Sequence, residues 1–161
     1  MDKPIRRPEE ILAYRPLAQI LGAAPKPVWS VAPTDTIMAA LQIMADRNIG
    51  FLVVLEGDKL AGVLSERDCA RRVLLAKKPP ESTRVADIMV RNVVTVEPSR
   101  SFAECLRVMH EHGFRHLPVM DKGKVTAVLS VRDLMSEAVE HHKKIISELE
   151  RERLTIFTST A

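Results

Sequence analysis

The chain has 161 residues, of which 46% are hydrophobic and 28% charged, and its formal net charge is +3. This composition is that of an ordinary globular protein, long enough to bury a core. Basic residues are scattered among acids and only 4% of residues are aromatic, whereas nucleic-acid-binding surfaces concentrate positive charge and stacking aromatics. We therefore expect no nucleic-acid partner.

The N-terminal sequence MDKPIRRPEE lacks the apolar centre of a signal peptide. Apolar runs such as FLVVL are far shorter than the ~20 residues that cross a bilayer. These features predict a cytoplasmic protein with no membrane partner. We expect residues 1–16 to form a flexible, loosely attached segment.

An internal repeat organises the rest of the chain. Residues 31–68 align without a gap on residues 96–133, a step of 65 residues, with 12 identities in 38 positions. Upstream, LAQIL (17–21) and VADIM (85–89) match at an offset of 68. The repeat predicts two copies of one structural unit.

Each copy predicts the element order β-α-β-β-α and therefore an α+β fold. The extended pieces VWSVAP and VVTVEP end at a proline, which cannot donate to a ladder. TIMAALQIMADRN and SFAECLRVMHEHG carry apolar residues at helical spacing, with Thr34 and Ser99 as expected N-caps. FLVVLE and HLPVMD are then joined by short turns to LAGVLS and VTAVLS, and a second helix begins at the serine. One such unit is too small to bury its sheet alone, so we expect the two to pack together.

The repeat also sets the expected boundaries. We place unit 1 at 17–76, a linker at 77–84, unit 2 at 85–140, and a C-terminal helix and tail at 141–161. The linker region LAKKPPESTR is polar and contains a Pro-Pro stop. The tail SEAVEHHKKIISELERERL has a helical pattern, whereas TIFTSTA has no clear one.

A Ser-x-x-Asp motif ends each copy, and two interpretations of it stay open. In the first, it is a capping box, in which the serine hydroxyl and the acid satisfy each other's backbone amides. In the second, it is a ligand site. A helix N-terminus favours anions, yet the motif places an arginine, a cation, at this point. A phosphate arriving there would suit that cation, and an ionised carboxylate suits the paired hydroxyls of a ribose. The motif residues are Ser65, Arg67 and Asp68, and Ser130, Arg132 and Asp133.

Together these features resemble the paired CBS (cystathionine beta-synthase) domains, also called Bateman modules. The resemblance covers residues 17–140 and rests on VADIM, the VxPxxxxxxxL pattern, RHLPV, GVLSERD and AVLSVRD; short bacterial stand-alone pairs look most similar. It implies two units related by a pseudo-two-fold axis, with two clefts that bind AMP, ADP, ATP, NAD(H) or S-adenosylmethionine. It also implies a regulatory role without chemistry on the nucleotide.

The resemblance assigns residues to the clefts by position. It places Ser65 and Asp68 on the ribose in one cleft, and Ser130 and Asp133 on the ribose in the other. The Asp68 cleft is expected to be completed by Arg100, Phe114, Arg115 and His116. The Asp133 cleft is expected to be completed by Asp35, Ile49, Gly50 and Phe51. In the family the basic pair before LPV contacts phosphates, which here implies Arg115 and His116; the first unit has Gly50-Phe51 instead, so equal phosphate binding in the two clefts stays open. Core packing is the alternative role of Phe51 and Phe114.

Other functional classes have less support in the sequence. His110, His112 and His116 lack the spacing of metal ligands, and no glycine-rich phosphate loop or nucleophile elbow occurs. We expect neither a metal nor an enzymatic activity. The alternatives to an adenine-nucleotide sensor are a structural adaptor with empty clefts and, less favoured, an S-adenosylmethionine sensor. We also expect an effector protein and a homodimer formed through helical faces that carry Ile37, Leu41, Met44, Leu106 and Met109.

Overall fold

A computed structural model describes residues 14–22 and 26–159, and their side chains up to residue 153. Most of the segment expected to be flexible, residues 1–13, therefore lies outside the described residues. In chain order the elements are α1 (Leu17–Leu21), β1 (Ser30–Val31), α2 (Ile37–Arg47), β2 (Phe51–Glu56), β3 (Lys59–Ser65), α3 (Glu66–Cys69, continued by a π-helical turn over Ala70–Leu74), α4 (Val85–Ile88), α5 (Phe102–His112), β4 (His116–Asp121), β5 (Lys124–Ser130) and α6 (Val131–Ser159).

The two units repeat each other at the level of individual residue pairs. Strands β2 and β3 are antiparallel from Phe51↔Ser65 with a bulge after Val54, and β4 and β5 are antiparallel from His116↔Ser130 with a bulge after Val119. Val31 of β1 pairs in parallel with Val54, and Val96 forms the equivalent parallel bridge with Val119. The expected α+β class and the duplicated unit are confirmed.

The first helix of each unit begins two residues later than expected. Thr36 caps α2 by accepting from the amide of Ala39, and Ser101 caps α5 by accepting from the amide of Glu104. The predicted caps Thr34 and Ser99 are therefore wrong. The reason in unit 1 is a turn, closed by a hydrogen bond from the amide of Asp35 to the carbonyl of Ala32, that precedes the helix.

The short helix at the start of each unit packs on the other unit. The amide of Leu17 in α1 donates to the carbonyl of Arg100 (3.3 Å), and the amide of Val85 in α4 donates to the carbonyl of Asp35 (2.9 Å). Leu17 is buried with Phe102 and Leu117, and Val85 is buried with Ile37 and Leu52. The boundaries predicted at 17 and 85 follow the sequence repeat. The two cores do not follow it, because each short helix packs in the core of the other unit, an arrangement we call exchanged helices.

Alternating strand residues and one face of each long helix form the two cores. Ile37, Met44 and Met109 are only 0%, 1% and 3% exposed, so these three face the cores and not a dimer partner. Helix α6 continues from unit 2 through residue 141 without a break, so the predicted C-terminal helix is an extension of the last helix of unit 2. Its buried Glu137 pairs with Arg15, which ties the described end of the N-terminal segment to unit 2.

Close backbone contact explains one glycine in β3. A Cβ at Gly62 would lie 2.8 Å from the carbonyl oxygen of Val90 and 2.9 Å from the sulfur of Met89. Val63 and Val90 exchange two backbone hydrogen bonds at this point. Glycine therefore lets the segment after α4 pair with β3, which brings that segment to the edge of a cavity between the units.

Candidate functional site

Two cavities lie where the units meet, one at the end of each last strand. The cavity of about 470 Å³ is lined by Ser65, Arg67 and Asp68 and is named the Asp68 cleft. The cavity of about 660 Å³ is lined by Ser130, Arg132 and Asp133 and is named the Asp133 cleft. Both volumes lie in the range of small-molecule sites.

The Ser-x-x-Asp motif forms a capping box in both copies. Asp68 Oδ2 accepts from the amide (3.1 Å) and hydroxyl (2.5 Å) of Ser65, and the Asp68 amide donates to the serine oxygen (3.2 Å). Asp133 Oδ2 accepts from the amide (2.8 Å) and hydroxyl (2.6 Å) of Ser130 in the same way. The cap uses only one carboxylate oxygen, so it does not compete with a ligand for Oδ1. The two interpretations of the motif are therefore compatible.

Residues around the start of each middle strand, β2 and β4, form walls of the clefts. Gly50, Phe51, Arg115 and His116 line both cavities, Ile49 lines the Asp133 cleft and Phe114 lines the Asp68 cleft. Phe51 and His116, equivalent in the repeat, stack with ring centroids 4.8 Å apart. Twelve of the fourteen residues expected at the clefts thus line at least one of them.

Asp35 and Arg100 line neither cavity. They occupy equivalent positions just before the long helices, where their carbonyls accept from the exchanged helices α4 and α1. The Asp35 carboxylate accepts from the amide of Ala32 (2.7 Å), and the Arg100 guanidinium donates to Glu104 (2.9 Å). In this structure both side chains are engaged in local turn and helix contacts.

Two cleft cations were missed by the sequence reasoning. Arg71 lines the Asp68 cleft, and its position four residues after Arg67 on a helical turn could have indicated a shared face. Lys26 lines the Asp133 cleft, and its ammonium lies 2.7 Å from Asp133 Oδ1. Lys26 is 107 residues from Asp133 and no spacing in the sequence points to it.

Burial and neighbouring charge set the protonation states in the clefts. Burial lowers the pKa of His116, an effect that the Asp133 carboxylate opposes and the Arg115 guanidinium reinforces. His116 is therefore neutral near pH 7 and stacks on Phe51 as an uncharged ring. Burial raises the pKa of Asp133, but the Lys26 ammonium and the Ser130 hydroxyl and amide outweigh it, so the pKa lies below its ordinary value. Asp133 is thus an ionised acceptor at neutral pH.

The described part of the chain has neither a metal-binding cluster nor a membrane-spanning helix. Within it, no three His, Cys, Asp or Glu side chains are grouped closely enough to hold a metal ion. None of its helices combines the length and apolar character needed to span a membrane. The cytoplasmic location stays a prediction from the N-terminal sequence.

Comparison with known proteins identifies related chains. The family model of the CBS domain matches residues 22–75 and 85–140. The mitochondrial CBS domain-containing protein CBSX3 of Arabidopsis thaliana is 32% identical over 121 residues, which cover 71% of this chain and 58% of that protein. The CBS domain-containing protein YhcV of Bacillus subtilis is 31% identical over 107 residues, which cover 66% of this chain and 76% of that protein. The chain thus spans little more than half the length of the Arabidopsis relative.

Solved structures show the same arrangement. A protein with CBS domains from Burkholderia ambifaria is 42% identical with a TM-score of 0.73, and the match covers 76% of this chain and 93% of that chain. The CBS domain pair of protein MJ0100, solved with 5-methylthioadenosine and S-adenosyl-L-methionine, is 25% identical with a TM-score of 0.64, covering 69% and 91%. Both bound molecules of the second structure contain adenosine.

Proposed function

The chain belongs to the CBS-domain family, and on that premise we propose that it is a sensor that binds adenine nucleotides in its two clefts and signals their occupancy to an effector protein. CBS pairs are regulatory modules, and a related pair binds adenosine compounds. The finer proposal concerns the ligand, which we take to be AMP, ADP, ATP or NAD(H).

One observation carries the nucleotide assignment. Arg67, Arg71 and Arg115 line the Asp68 cleft, and none of their guanidinium groups has a hydrogen bond or ion pair with any described residue. Asp68 Oδ1 likewise receives no hydrogen bond from the described residues, although Oδ2 is used in the cap. An open carboxylate oxygen beside three unpaired guanidinium groups matches a ribose that carries phosphate.

The same arginines favour phosphate esters over S-adenosylmethionine. A guanidinium group pairs with phosphate in a bidentate manner, whereas the sulfonium of S-adenosylmethionine is a cation and would be repelled by it. Adenosine is common to all these ligands, so the bound molecules of the related pair support the adenosine part of the proposal and leave the substituent to be tested.

Removing one aspartate should remove one binding event. In Asp133→Ala we expect the Asp133 cleft to lose AMP affinity by about tenfold or more, because the hydrogen bond of a ribose hydroxyl to a charged acceptor is lost. Isothermal titration calorimetry of the wild type, Asp68→Ala and Asp133→Ala would measure this loss, with AMP, ATP, NAD and S-adenosylmethionine as ligands. The control is Asp46→Ala, which removes an exposed acid on α2 that accepts a hydrogen bond from the Gln42 side chain and lines neither cleft.

Two unchanged binding events in both cleft variants would refute the ribose assignment. No binding of any of the four ligands to the folded wild type would refute the sensor function and favour an adaptor with empty clefts.

We further propose a homodimer formed through exposed helical faces. Met135 and Val139, one turn apart on α6, are 60% and 51% exposed, and Leu106 of α5 is 41% exposed. Apolar helix faces of this kind are commonly covered by a two-fold dimer. We expect light scattering at micromolar concentration to give twice the monomer mass of 18.0 kDa, and Val139→Glu to shift the protein toward the monomer.

Leu75→Glu is the matched control for the dimer, because Leu75 is 78% exposed and lies at the end of unit 1, away from α5 and α6 in sequence. A wild type of monomer mass with and without AMP would contradict the dimer. An equal shift in Leu75→Glu would show that Val139 has no specific part in it.

A further inference from the structure

The two clefts differ in what contacts their equivalent aspartates. Asp68 and Asp133 are 65 residues apart, and each uses Oδ2 in the same capping box. The oxygen left for a ligand is Oδ1 in both. The other groups that reach Oδ1 therefore distinguish the two clefts at the point where a ribose would bind.

In the Asp133 cleft, Lys26 reaches that oxygen. Its ammonium donates to Asp133 Oδ1 at 2.7 Å, and both Lys26 and the adjacent Pro27 line the cleft in the segment that leads to β1. The Asp133 side chain is only 19% exposed, whereas the Lys26 side chain is 81% exposed. The contact therefore joins a fixed acid to a long side chain that extends from the cleft wall into solvent.

The Asp68 cleft has no equivalent contact within the described part of the chain. The residue 65 positions after Lys26 is Arg91, and its guanidinium donates to the carbonyl of Ala86 at 3.0 Å. Arg91 does not line the Asp68 cleft, whose corresponding wall consists of Val90, Asn92, Val93 and Val94. A cation thus stands at both positions, but Arg91 contacts the Ala86 carbonyl and does not line the Asp68 cleft.

Lys26 competes with any ligand hydroxyl for Asp133 Oδ1. A ribose that donates to this oxygen must displace the ammonium, and an exposed ion pair of this kind lowers the affinity of a competing donor by up to about fivefold. The displaced ammonium remains at the cleft on a flexible four-carbon stem. A ligand phosphate can then pair with it, whereas an uncharged substituent cannot.

We propose that Lys26 makes the Asp133 cleft selective for phosphorylated adenosine compounds, while the Asp68 cleft also accepts adenosine without phosphate. This inference rests on the proposed function, since it assigns a ligand preference to each of the same two clefts. Lys26 has two roles in it: it occupies the ribose acceptor in the empty cleft, and it binds phosphate in the filled one.

The test isolates the Asp133 cleft and varies Lys26. Asp68→Asn removes the charged acceptor of the other cleft while an amide oxygen can still cap α3. Calorimetry with adenosine and with AMP would compare Asp68→Asn with Asp68→Asn/Lys26→Met, which keeps most of the apolar stem. The matched control is Asp68→Asn/Lys78→Met, because Lys78 is exposed and lies outside both clefts.

With Lys26→Met, we expect adenosine to bind about threefold to fivefold tighter and AMP to bind no tighter. The ratio of AMP affinity to adenosine affinity should then fall by about threefold or more. The reciprocal background, Asp133→Asn, isolates the Asp68 cleft, and there Lys26→Met should leave the ratio unchanged.

If Lys26→Met changes the ratio of AMP affinity to adenosine affinity by less than twofold in the Asp68→Asn background, the proposed role of Lys26 is overturned. The nucleotide-binding function then remains in place. An equal fall with Lys78→Met also overturns it, because the effect would then come from overall charge. If folded wild type binds neither AMP nor adenosine, both the proposed function and this inference fail.

Discussion

Leu17→Ala is expected to lower the free energy of unfolding by about 3 kcal/mol, although Leu17 precedes β1, the first strand of unit 1, by more than ten residues. Leu17 is fully buried and packs in the core of unit 2 with Phe102, Leu117 and Leu129. Truncation to alanine removes buried carbons and leaves a cavity that the surrounding strands and helices can fill only in part. Urea denaturation followed by circular dichroism would measure the loss.

Gln19→Ala is the matched control on the same short helix, because Gln19 is exposed. We expect it to change stability by less than about 0.5 kcal/mol. If Leu17→Ala and Gln19→Ala changed the free energy of unfolding by the same small amount, α1 would not be part of the unit 2 core. This result would contradict the exchanged arrangement of the short helices.

Arg15→Met is expected to cost about 3 kcal/mol at neutral pH, because it leaves a buried carboxylate without its cation. The Glu137 side chain is 3% exposed, and both of its oxygens accept from the Arg15 guanidinium. Arg15 is 44% exposed, so the change leaves little unfilled space in the core and acts mainly through charge. The double variant Arg15→Met/Glu137→Met should recover most of the loss, since it removes the unpaired acid as well.

The effect of Arg15→Met should depend on pH. In the wild type, the hydrogen bond from Arg15 holds the pKa of Glu137 below its ordinary value, although burial opposes this. The pair therefore stabilises the fold fully above the unfolded-state pKa of glutamate, and this contribution is lost as pH falls through the lower, folded-state pKa. In the variant, burial raises the pKa of Glu137, and the backbone amide of residue 15 and the Lys144 ammonium each oppose it more weakly, so protonation relieves the cost.

We accordingly expect the difference in stability between wild type and Arg15→Met to be larger near pH 7 than near pH 4. Urea denaturation at the two values would measure it. A difference independent of pH would show that Arg15 acts through packing and not through its charge.

Much of the fold could be predicted from the repeat and from local pattern. The step of 65 residues predicted equivalent hairpins, and the structure pairs Phe51 with Ser65 and His116 with Ser130 accordingly. Helical spacing identified Ile37, Met44 and Met109 as apolar faces, but assigned them to a dimer interface, whereas the structure buries them in the cores. The caps were misplaced because the choice between Thr34 and Thr36 depends on a turn that the pattern of apolar residues does not reveal.

The candidate cleft residues that lie inside the repeat could be predicted from the sequence in the same way. The Ser-x-x-Asp motif sits where a strand ends and a helix begins, and this local geometry alone places its side chains at a sheet edge. Arg115 and His116, at the start of β4, are equivalent in the repeat to Gly50 and Phe51, and they line both clefts. Asp35 and Arg100 were assigned by family position, and in the structure they hold the exchanged helices through their carbonyls.

The sequence by itself therefore determined the duplicated unit, its strands and helices, and the acid and arginine at each cleft, because these follow from local period and from identity between the copies. Only the tertiary structure decided which unit each short helix completes, since both units have an apolar core that could receive Leu17 or Val85, and packing alone selects between them. It also decided that Lys26 contacts Asp133 while Arg91 turns away from Asp68. Contacts between residues 107 positions apart depend on how the chain segments meet in space, which no local pattern encodes.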